Sequence, residues 1–332
     1  MARITSSFSR SADSTPDACL PPPDARLRPP AVHTVRLSLS QDIYAQSIMT
    51  IREALAKAAP LLPATNASRD ASTLLAYTLL CNQAWLRAYP ETELTSTQAH
   101  TFQSMIDRRA GREPLQYITG QQEFYGLHLR VTPAVLIPRP ETEHLVEAVL
   151  LWATQFHAEQ TLQIADIGTG SGAIVIALAT HLAGARFVAT DISDAALAVA
   201  RQNAIAHGCD QRIQFVHSDL LSGIETALAG GFRFDAVLSN PPYIPADDAA
   251  TMQSEVVEHE PHTALFAGPD GLDIYRRLIP AAHAALRERG LLALEIGYGQ
   301  RDALANLLAD WNDVHFIDDY AGIPRVAMAV RN

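Results

Sequence analysis

The sequence has few cysteines and no long apolar segment. Its 332 residues include three cysteines, Cys19, Cys81 and Cys209, which are odd in number and widely separated. This spacing excludes a disulfide framework and a Cys-x-x-Cys metal pair, and it is typical of proteins in the reducing cytosol. Unbroken apolar runs, such as residues 173–179, fall far short of the roughly 18 residues that a transmembrane helix needs. We therefore expect a cytoplasmic protein that does not span a membrane.

A surplus of basic charge is also missing. The formal net charge is −11, and residues 134–332 alone hold 12 basic and 25 acidic side chains, a net charge of −13. Binding to nucleic acid phosphates requires clustered lysine and arginine. The charge therefore argues against direct nucleic acid binding and favours a partner protein that is itself basic.

Apolar residues make up 48% of the chain and charged residues 18%, which indicates a folded protein of about two domains. Residues 1–48 differ, because they are rich in proline and serine and have no sustained period, so we expect a disordered extension there. An organellar transit peptide and an over-long reading frame are the alternatives. Met49 would make a natural start, since Thr50 and Glu53 match a helix capping box.

The periodicity changes along the rest of the chain. Residues 49–112 have helical spacing and predict a small helical domain. Residues 113–138 include alternating apolar and polar positions beside Gly120 and Gly126, and predict a β-hairpin linker. Strands are expected at Leu162–Ile167, Phe187–Thr190, Ile213–Val216, Ala236–Leu238, Leu291–Ile296, Val314–Ile317 and Val326–Val330. Helices are expected at Glu143–Phe156, Gly172–Leu182, Asp194–His207, Leu272–Glu288 and Gln300–Ala309. This alternation predicts an α/β domain over 139–332, with a mostly parallel sheet covered by helices on both faces.

A glycine-rich loop follows the first of these strands. It reads Asp166-Ile167-Gly168-Thr169-Gly170-Ser171-Gly172 and opens a helix, so its backbone N–H groups can approach a ligand closely. Asp191 ends the next strand, where a carboxylate can accept hydrogen bonds from ribose hydroxyls. A tight turn and a helix N-cap are the purely structural alternatives. Together the two features predict an adenosine-containing cofactor, without separating NAD from S-adenosylmethionine.

The motif Ser239-Asn240-Pro241-Pro242-Tyr243 follows the fourth strand. The prolines stiffen a turn at the carboxyl end of the sheet, where open α/β folds bind ligands. The Asn240 side-chain carbonyl and the Pro241 backbone carbonyl are two acceptors that can hold an NH₂ group, and Tyr243 can stack on the planar group that carries it. This predicts a site for an amide or amino-base nitrogen.

The motifs at 166–172 and 240–243 together resemble class I (Rossmann-like) methyltransferases that alkylate planar nitrogens. The resemblance to the HemK/PrmC family, the peptide chain release factor protein-(glutamine-N5) methyltransferases, is closer and runs from about Met49 to the C-terminus. The further segments that carry it are Pro114-Leu115-Gln116-Tyr117, Glu123-Phe124-Tyr125-Gly126, Leu136-Ile137-Pro138-Arg139-Pro140-Glu141-Thr142-Glu143 and Gly268-Pro269-Asp270-Gly271-Leu272.

The resemblance implies a seven-stranded sheet and methyl transfer from S-adenosylmethionine, which leaves S-adenosylhomocysteine. The acceptor would be the glutamine of the Gly-Gly-Gln motif in class 1 release factors, held in part by the helical domain at 49–112. A ribosomal-protein glutamine methyltransferase is the alternative, but that group departs from the Pro-Arg-Pro-Glu-Thr-Glu pattern that this chain keeps. The competing functions outside this family are an amino-base nucleic acid methyltransferase, a non-catalytic cofactor-binding scaffold and an NAD dehydrogenase.

The resemblance also implies roles for individual residues. The cofactor would contact Gly168, Thr169, Gly170, Ser171, Gly172, Asp191, Asp219, Leu220 and Asn240. An aromatic residue is common in the family where Leu220 stands, so stacking on the adenine is not implied there. The substrate amide would be held by Asn240, Pro241, Pro242 and Tyr243. Arg139 to Glu143 would border the cofactor pocket. No metal site and no dedicated general base are predicted, and His217 and His259 are candidates for a base only by their proximity in sequence.

Overall fold

The computed structural model describes residues 49–63, 65–156 and 161–332. The extension predicted at 1–48 lies outside these residues. Within the described ranges, no helix is both long and apolar enough to cross a membrane.

The first helices pack around an apolar core of their own. They are α1 (Ile51–Ala58), α2 (Ala67–Thr78), α3 (Gln83–Ala88), α4 (Ser96–Ala110) and α5 (Leu115–Thr119). The capping box at the start of α1 is present, because the Thr50 hydroxyl accepts from the Glu53 N–H and the Glu53 carboxylate accepts from the Thr50 N–H. The apolar faces of the helices meet in a core that includes the fully buried Ile51, Leu74 and Ile106.

The predicted hairpin is shorter than the segment assigned to it. Strands β1 (Gln121–Phe124) and β2 (Leu127–Arg130) pair antiparallel. Tyr117 and Ile118 fall within the segment 113–138 that was predicted as the hairpin linker, but they lie in α5. This helix occupies five residues between Pro114 and Gly120, which has a left-handed φ of 74°. A segment of that length is too short for its apolar spacing to distinguish a helix from a strand.

The seven strands that follow β2 form one sheet, so the predicted α/β fold with a mostly parallel sheet is confirmed. Its strands are β3 (Gln163–Ile167), β4 (Arg186–Asp191), β5 (Ile213–His217), β6 (Phe234–Ser239), β7 (Leu286–Glu295), β8 (Asn312–Asp318) and β9 (Pro324–Val330). The order across the sheet is β5-β4-β3-β6-β7-β9-β8. Strand β9 runs antiparallel to its neighbours β7 and β8, and the other pairs are parallel.

Helices cover both faces of this sheet. They are α6 (Glu143–Phe156), α7 (Ala173–His181), α8 (Asp194–Ala206), α9 (Glu225–Ala229), α10 (Ser254–His259), α11 (Asp273–Ala285) and α12 (Arg301–Leu307). α6 and α7 pack on one face, and α11 and α12 on the other. The helix expected to reach Glu288 ends at Ala285, because Leu286 already pairs with Phe234 in the β6–β7 ladder.

The topology brings the predicted motifs to one edge of the sheet. Strands β3, β4 and β6 run parallel. β4 lies on one side of β3 and β6 on the other, so the direction of the strand order reverses at β3. The segments that follow these three strands therefore converge at the edge where open α/β sheets bind their ligands.

Candidate active site

A cavity of about 510 Å³ opens at this edge. Its volume is in the range of small-molecule and cofactor sites. The wall contains the segments after β3, β4, β5 and β6, the loop before α6 and part of α11. The predicted site residues in the wall are Gly168, Thr169, Gly170, Ser171, Asp191, Asp219, Leu220, Asn240, Pro241 and Pro242. Gly172 and Tyr243 are not among the residues that line this cavity.

The glycine-rich loop leaves its backbone open to the cavity. Gly168 and Gly170 have φ values of 73° and 55°, and a Cβ at either position would meet no atom within 4 Å. The left-handed φ favours glycine, and the open space lets a ligand approach the backbone closely. Gly172 is the N-cap of α7, and a Cβ at this position would instead meet the side chains of Ile176 and Ala200.

Asp191 lies at the end of β4 with both carboxylate oxygens engaged by backbone donors. One oxygen accepts from the Gly170 N–H at 2.9 Å and the other from the Ser193 N–H at 2.9 Å. The N-cap of α8 is Ser193, whose hydroxyl accepts from the Ala196 N–H, so the alternative of Asp191 as the helix cap is wrong. Each carboxylate oxygen has a second lone pair, so Asp191 can also accept hydrogen bonds from a ligand in the cavity.

Asp219 and Leu220 form the wall next to β5. The half-exposed carboxylate of Asp219 pairs with the Arg277 guanidinium of α11 at 2.6 Å. Leu220 has a left-handed φ of 53°, and its carbonyl accepts from the buried Ser218 hydroxyl at 2.8 Å. The Ser218 bond therefore holds this strained turn in place against the cavity.

The Asn240 side chain is fixed by a hydrogen bond from its amide nitrogen. Nδ2 donates to the Thr142 hydroxyl oxygen at 3.1 Å. The preceding Ser239 hydroxyl donates to the Ile167 carbonyl at 2.6 Å, which ties the motif to β3. Because Nδ2 is bonded to Thr142, the carbonyl oxygen Oδ1 is the part of the Asn240 amide left to accept a hydrogen from a substrate.

A second cavity of about 180 Å³ adjoins the first. Asn240, Pro241 and Arg139 belong to the walls of both cavities, whereas Tyr243 lines only the smaller one. Burial raises the pKa of the Tyr243 hydroxyl well above its usual value. The hydroxyl therefore stays protonated at neutral pH and can donate a hydrogen bond.

The loop before α6 joins the site to a distant segment. The buried Glu260 carboxylate, just after α10, accepts from the Arg139 guanidinium at 2.5 Å and from the Ile137 N–H at 3.1 Å. Arg139 and Thr142 line the larger cavity, as expected for the segment Arg139 to Glu143, but the sequence predicted no chemical role for Thr142 and did not identify Glu260. The Pro-Arg-Pro-Glu-Thr-Glu pattern was the only signal that pointed towards Thr142.

Two buried carboxyl groups, those of Asp166 in β3 and Glu295 in β7, lie near the strand ends that border the site. Burial raises the pKa of Asp166 to about 7, opposed by the hydrogen bond from the Thr169 hydroxyl. Burial also raises the pKa of Glu295, at the end of β7, to about 7, opposed by its interaction with the Thr142 hydroxyl. Each carboxyl has one buried oxygen without a hydrogen-bond partner. Asp166 begins the glycine-rich motif but was given no role from the sequence, and Glu295 was not identified from the sequence at all.

The two histidines considered as bases lie outside both cavities. His217 is exposed and its ring contacts the Ile192 carbonyl at 2.9 Å. The Nε2 atom of His259 is buried without a hydrogen-bond partner. In the described part of the chain, no group of three or more histidine, cysteine, aspartate or glutamate side chains could hold a metal ion.

Two family models match the chain. A model of the PrmC N-terminal domain matches residues 53–120, and a model of the methyltransferase small domain matches residues 146–268. The first match covers most of α1 to α5. The second includes the glycine-rich loop, Asp191 and the Asn240–Tyr243 motif.

Relatives match over nearly their whole length. The chain is 42% identical over 283 residues to the release factor glutamine methyltransferase of Koribacter versatilis, covering 84% of this chain and 98% of that protein. It is 44% identical over 289 residues to the enzyme of the same name from Moorella thermoacetica, covering 85% and 99%. Among solved structures, the ribosomal protein L11 methylase from Lactobacillus delbrueckii subsp. bulgaricus is 25% identical, with a TM-score of 0.42, over 61% of this chain and 85% of that one.

Proposed function

The chain belongs to the release factor glutamine methyltransferase family, and we propose that it methylates the glutamine of the Gly-Gly-Gln motif in class 1 peptide chain release factors. The methyl group comes from S-adenosylmethionine and goes to the side-chain amide nitrogen. The family membership and the site together support this function. We assign the activity to the cytoplasm, where these release factors act.

One observation carries the proposal: Asn240 and Pro241 lie at the junction of the two cavities. The larger cavity has the glycine-rich loop and Asp191 expected around an adenosine cofactor, and the smaller one has room for a side chain. A methyl donor in the first and an amide in the second would meet beside Asn240. This is the arrangement that direct transfer between two bound molecules requires.

The residues of the larger cavity fit S-adenosylmethionine. The open backbone at Gly168 and Gly170 leaves room for the methionine and ribose end. Asp191 has lone pairs left for the ribose hydroxyls, and Asp219 and Leu220 border the expected adenine position. When bound, this cofactor supplies an electrophilic methyl group on a sulfonium.

The side chains of the protein then have two tasks. Asn240 Oδ1 and the Pro241 carbonyl accept hydrogen bonds from the two N–H groups of the target amide. These two hydrogen bonds orient the amide nitrogen towards the methyl donor. The same two acceptors stabilise the positive charge that develops on nitrogen during transfer. An amide nitrogen is a poor nucleophile, so alignment and charge stabilisation have to supply most of the catalysis. The methylated nitrogen then loses one of its two protons to water and becomes a neutral secondary amide. None of the histidines in the described ranges lines either cavity, so we assign no histidine as a general base.

The helical N-terminal part is held close to the site by ionic contacts. The buried Arg109 of α4 bridges Asp70 of α2 at 2.7 Å and Glu255 of α10 at 3.0 Å. The guanidinium of Arg112 donates to the Ser254 hydroxyl at 3.0 Å. These contacts support a helical domain that holds the release factor at a constant distance from the Asn240 motif.

A substrate panel tests the proposal. The full chain and methyl-labelled S-adenosylmethionine are incubated separately with a class 1 release factor, with large-subunit ribosomal proteins and with nucleic acid. We expect label in the release factor alone, and none in a release factor whose Gly-Gly-Gln glutamine is replaced by alanine. Label in ribosomal protein would instead support a ribosomal-protein glutamine methyltransferase, and label in nucleic acid an amino-base methyltransferase.

A further inference from the structure

Three polar side chains meet behind the proposed acceptor site. Ser239 pairs with Leu294 in the parallel β6–β7 ladder, so the next residues, Asn240 and Glu295, lie side by side at the same edge of the sheet. The Thr142 hydroxyl interacts with both, because it accepts from Asn240 Nδ2 at 3.1 Å and lies beside the Glu295 carboxyl, whose pKa it lowers. Glu295, Thr142 and Asn240 therefore form a chain of polar contacts that leads to the junction of the two cavities.

The Glu295 carboxyl is surrounded by groups from several elements. Its residue is only 2% exposed. Burial and the carboxylate of Glu141 raise the pKa of this carboxyl, whereas the Thr142 hydroxyl, the Arg325 guanidinium of β9 and the Tyr243 hydroxyl lower it. The Tyr275 hydroxyl of α11 donates to the Glu295 backbone carbonyl at 2.8 Å and holds the end of β7 in place.

This carboxyl is costly for the fold. One of its oxygens, Oε2, is buried without a hydrogen-bond partner. A buried carboxyl that is only partly satisfied destabilises a folded protein relative to an apolar side chain of similar size. Packing therefore does not account for a carboxyl at this position, whereas its place next to Thr142 and Asn240 indicates a use in the site.

We propose that Glu295 is a positioning residue that sets the orientation of the Asn240 amide through Thr142. The Thr142 hydroxyl has a single proton. When Glu295 accepts that proton, the Thr142 oxygen can only accept from Asn240, so Asn240 must turn its NH₂ group to Thr142 and its Oδ1 to the substrate. Without Glu295, Thr142 can donate to Asn240, and the amide can then flip and present NH₂ to the NH₂ of the substrate.

The inference rests on the proposed function, and the kcat of methyl transfer in variants of Thr142 and Glu295 tests it. Thr142→Val removes the hydroxyl at nearly constant volume, and Glu295→Met replaces the carboxyl with an apolar side chain of similar length that has no oxygen acceptor. We expect kcat to fall about 10- to 100-fold in each, with S-adenosylmethionine affinity within about twofold of wild type. The double variant should be no slower than Thr142→Val alone, and Thr142→Ser should recover most of the lost rate.

The opposite outcomes would overturn the inference. A Glu295→Met enzyme with kcat within about twofold of wild type would show that the carboxyl does not act on Asn240. Rate losses that multiply in the double variant would show that Thr142 and Glu295 act independently. Equal losses in kcat and in cofactor affinity would indicate a general structural defect instead.

A measurement on the protein without substrate separates this inference from the proposed function. ¹³C NMR of labelled glutamate carboxyls, assigned with Glu295→Gln, follows the titration of Glu295. We expect Thr142→Val to raise the Glu295 pKa further, because it removes a donor to the carboxylate. The matched control is Thr169→Val, which removes the donor to Asp166 and should leave the Glu295 pKa unchanged. An unchanged pKa in Thr142→Val would overturn the inference, even for an enzyme that methylates no release factor.

Discussion

Gly271 offers a quantitative test of how the Asn240 motif is held. It has a left-handed φ of 73°, and a Cβ there would overlap the Tyr243 carbonyl oxygen. The same Cβ would lie 2.9 Å from Gln300 Nε2 and 3.0 Å from the Tyr243 carbonyl carbon. Gln300 Nε2 donates to that carbonyl at 3.0 Å. Gly271→Ala would therefore push the backbone of the motif away from its support.

The expected cost has two parts. A left-handed alanine costs about 1–2 kcal/mol, and overlap with backbone atoms that cannot move freely adds about 1–3 kcal/mol. The matched control is Gly299→Ala, because Gly299 has a similar φ of 79° but no atom within 4 Å of a Cβ. The control should lose only the first part of the stability.

Urea unfolding of both variants measures the difference. We expect Gly271→Ala to be less stable than Gly299→Ala by about 1–3 kcal/mol, and to lose more methyl transfer because the Asn240 motif is displaced. Equal stability of the two variants would refute the assignment of Gly271 as the close-contact support of the motif.

Three further predictions concern the site itself. Asn240→Ala should keep most of its cofactor affinity, measured by calorimetry, but lose about 100-fold in methyl transfer, because one of the two transition-state acceptors is gone. A fully active variant would contradict the role of Asn240. Asp191→Ala should weaken S-adenosylmethionine binding by about 1–3 kcal/mol, because ribose hydroxyls lose their acceptor; unchanged affinity in the same calorimetry would contradict the ribose assignment. Burial raises the pKa of Asp166 to about 7. Between about pH 4 and 7 the folded protein therefore keeps a proton on Asp166 that the unfolded chain has released. The stability of the folded protein falls as the pH rises through this range. The melting temperature of Asp166→Asn relative to wild type should therefore increase from pH 5 to pH 8, and a difference that does not depend on pH would contradict the raised pKa.

The sequence predicted the fold well because its signals are local. The alternation of apolar strands with helices from Glu141 onward predicted each strand of the large sheet, and the capping box at Thr50 and Glu53 marked the start of α1. The prediction was wrong where a segment was too short for its period to be read, as in α5, or where a helix ran directly into a strand, as at Leu286.

The candidate site was predicted only in part. The motifs after β3, β4 and β6 could be predicted from their residue types and from their order along the chain, since parallel strands bring the segments that follow them to one edge of the sheet. Thr142 could not be found in this way, because it is 98 residues away from Asn240 in the chain. Glu295 has no motif of its own, and only the β6–β7 register next to Asn240 and its burial near Thr142 connect it to the site. Side-chain pairs that are distant in sequence depend on tertiary packing and leave no periodic signal.

Mass spectrometry of a methylated release factor tests the central claim most directly. After reaction of the full chain with S-adenosylmethionine and a class 1 release factor, the protein is digested and the modified peptide is fragmented. We predict a single methyl group on the side-chain amide nitrogen of the glutamine in the Gly-Gly-Gln motif, with none after reaction with Asn240→Ala. A methyl group on another residue, or no methylation by an enzyme that binds the cofactor, would contradict the proposed function.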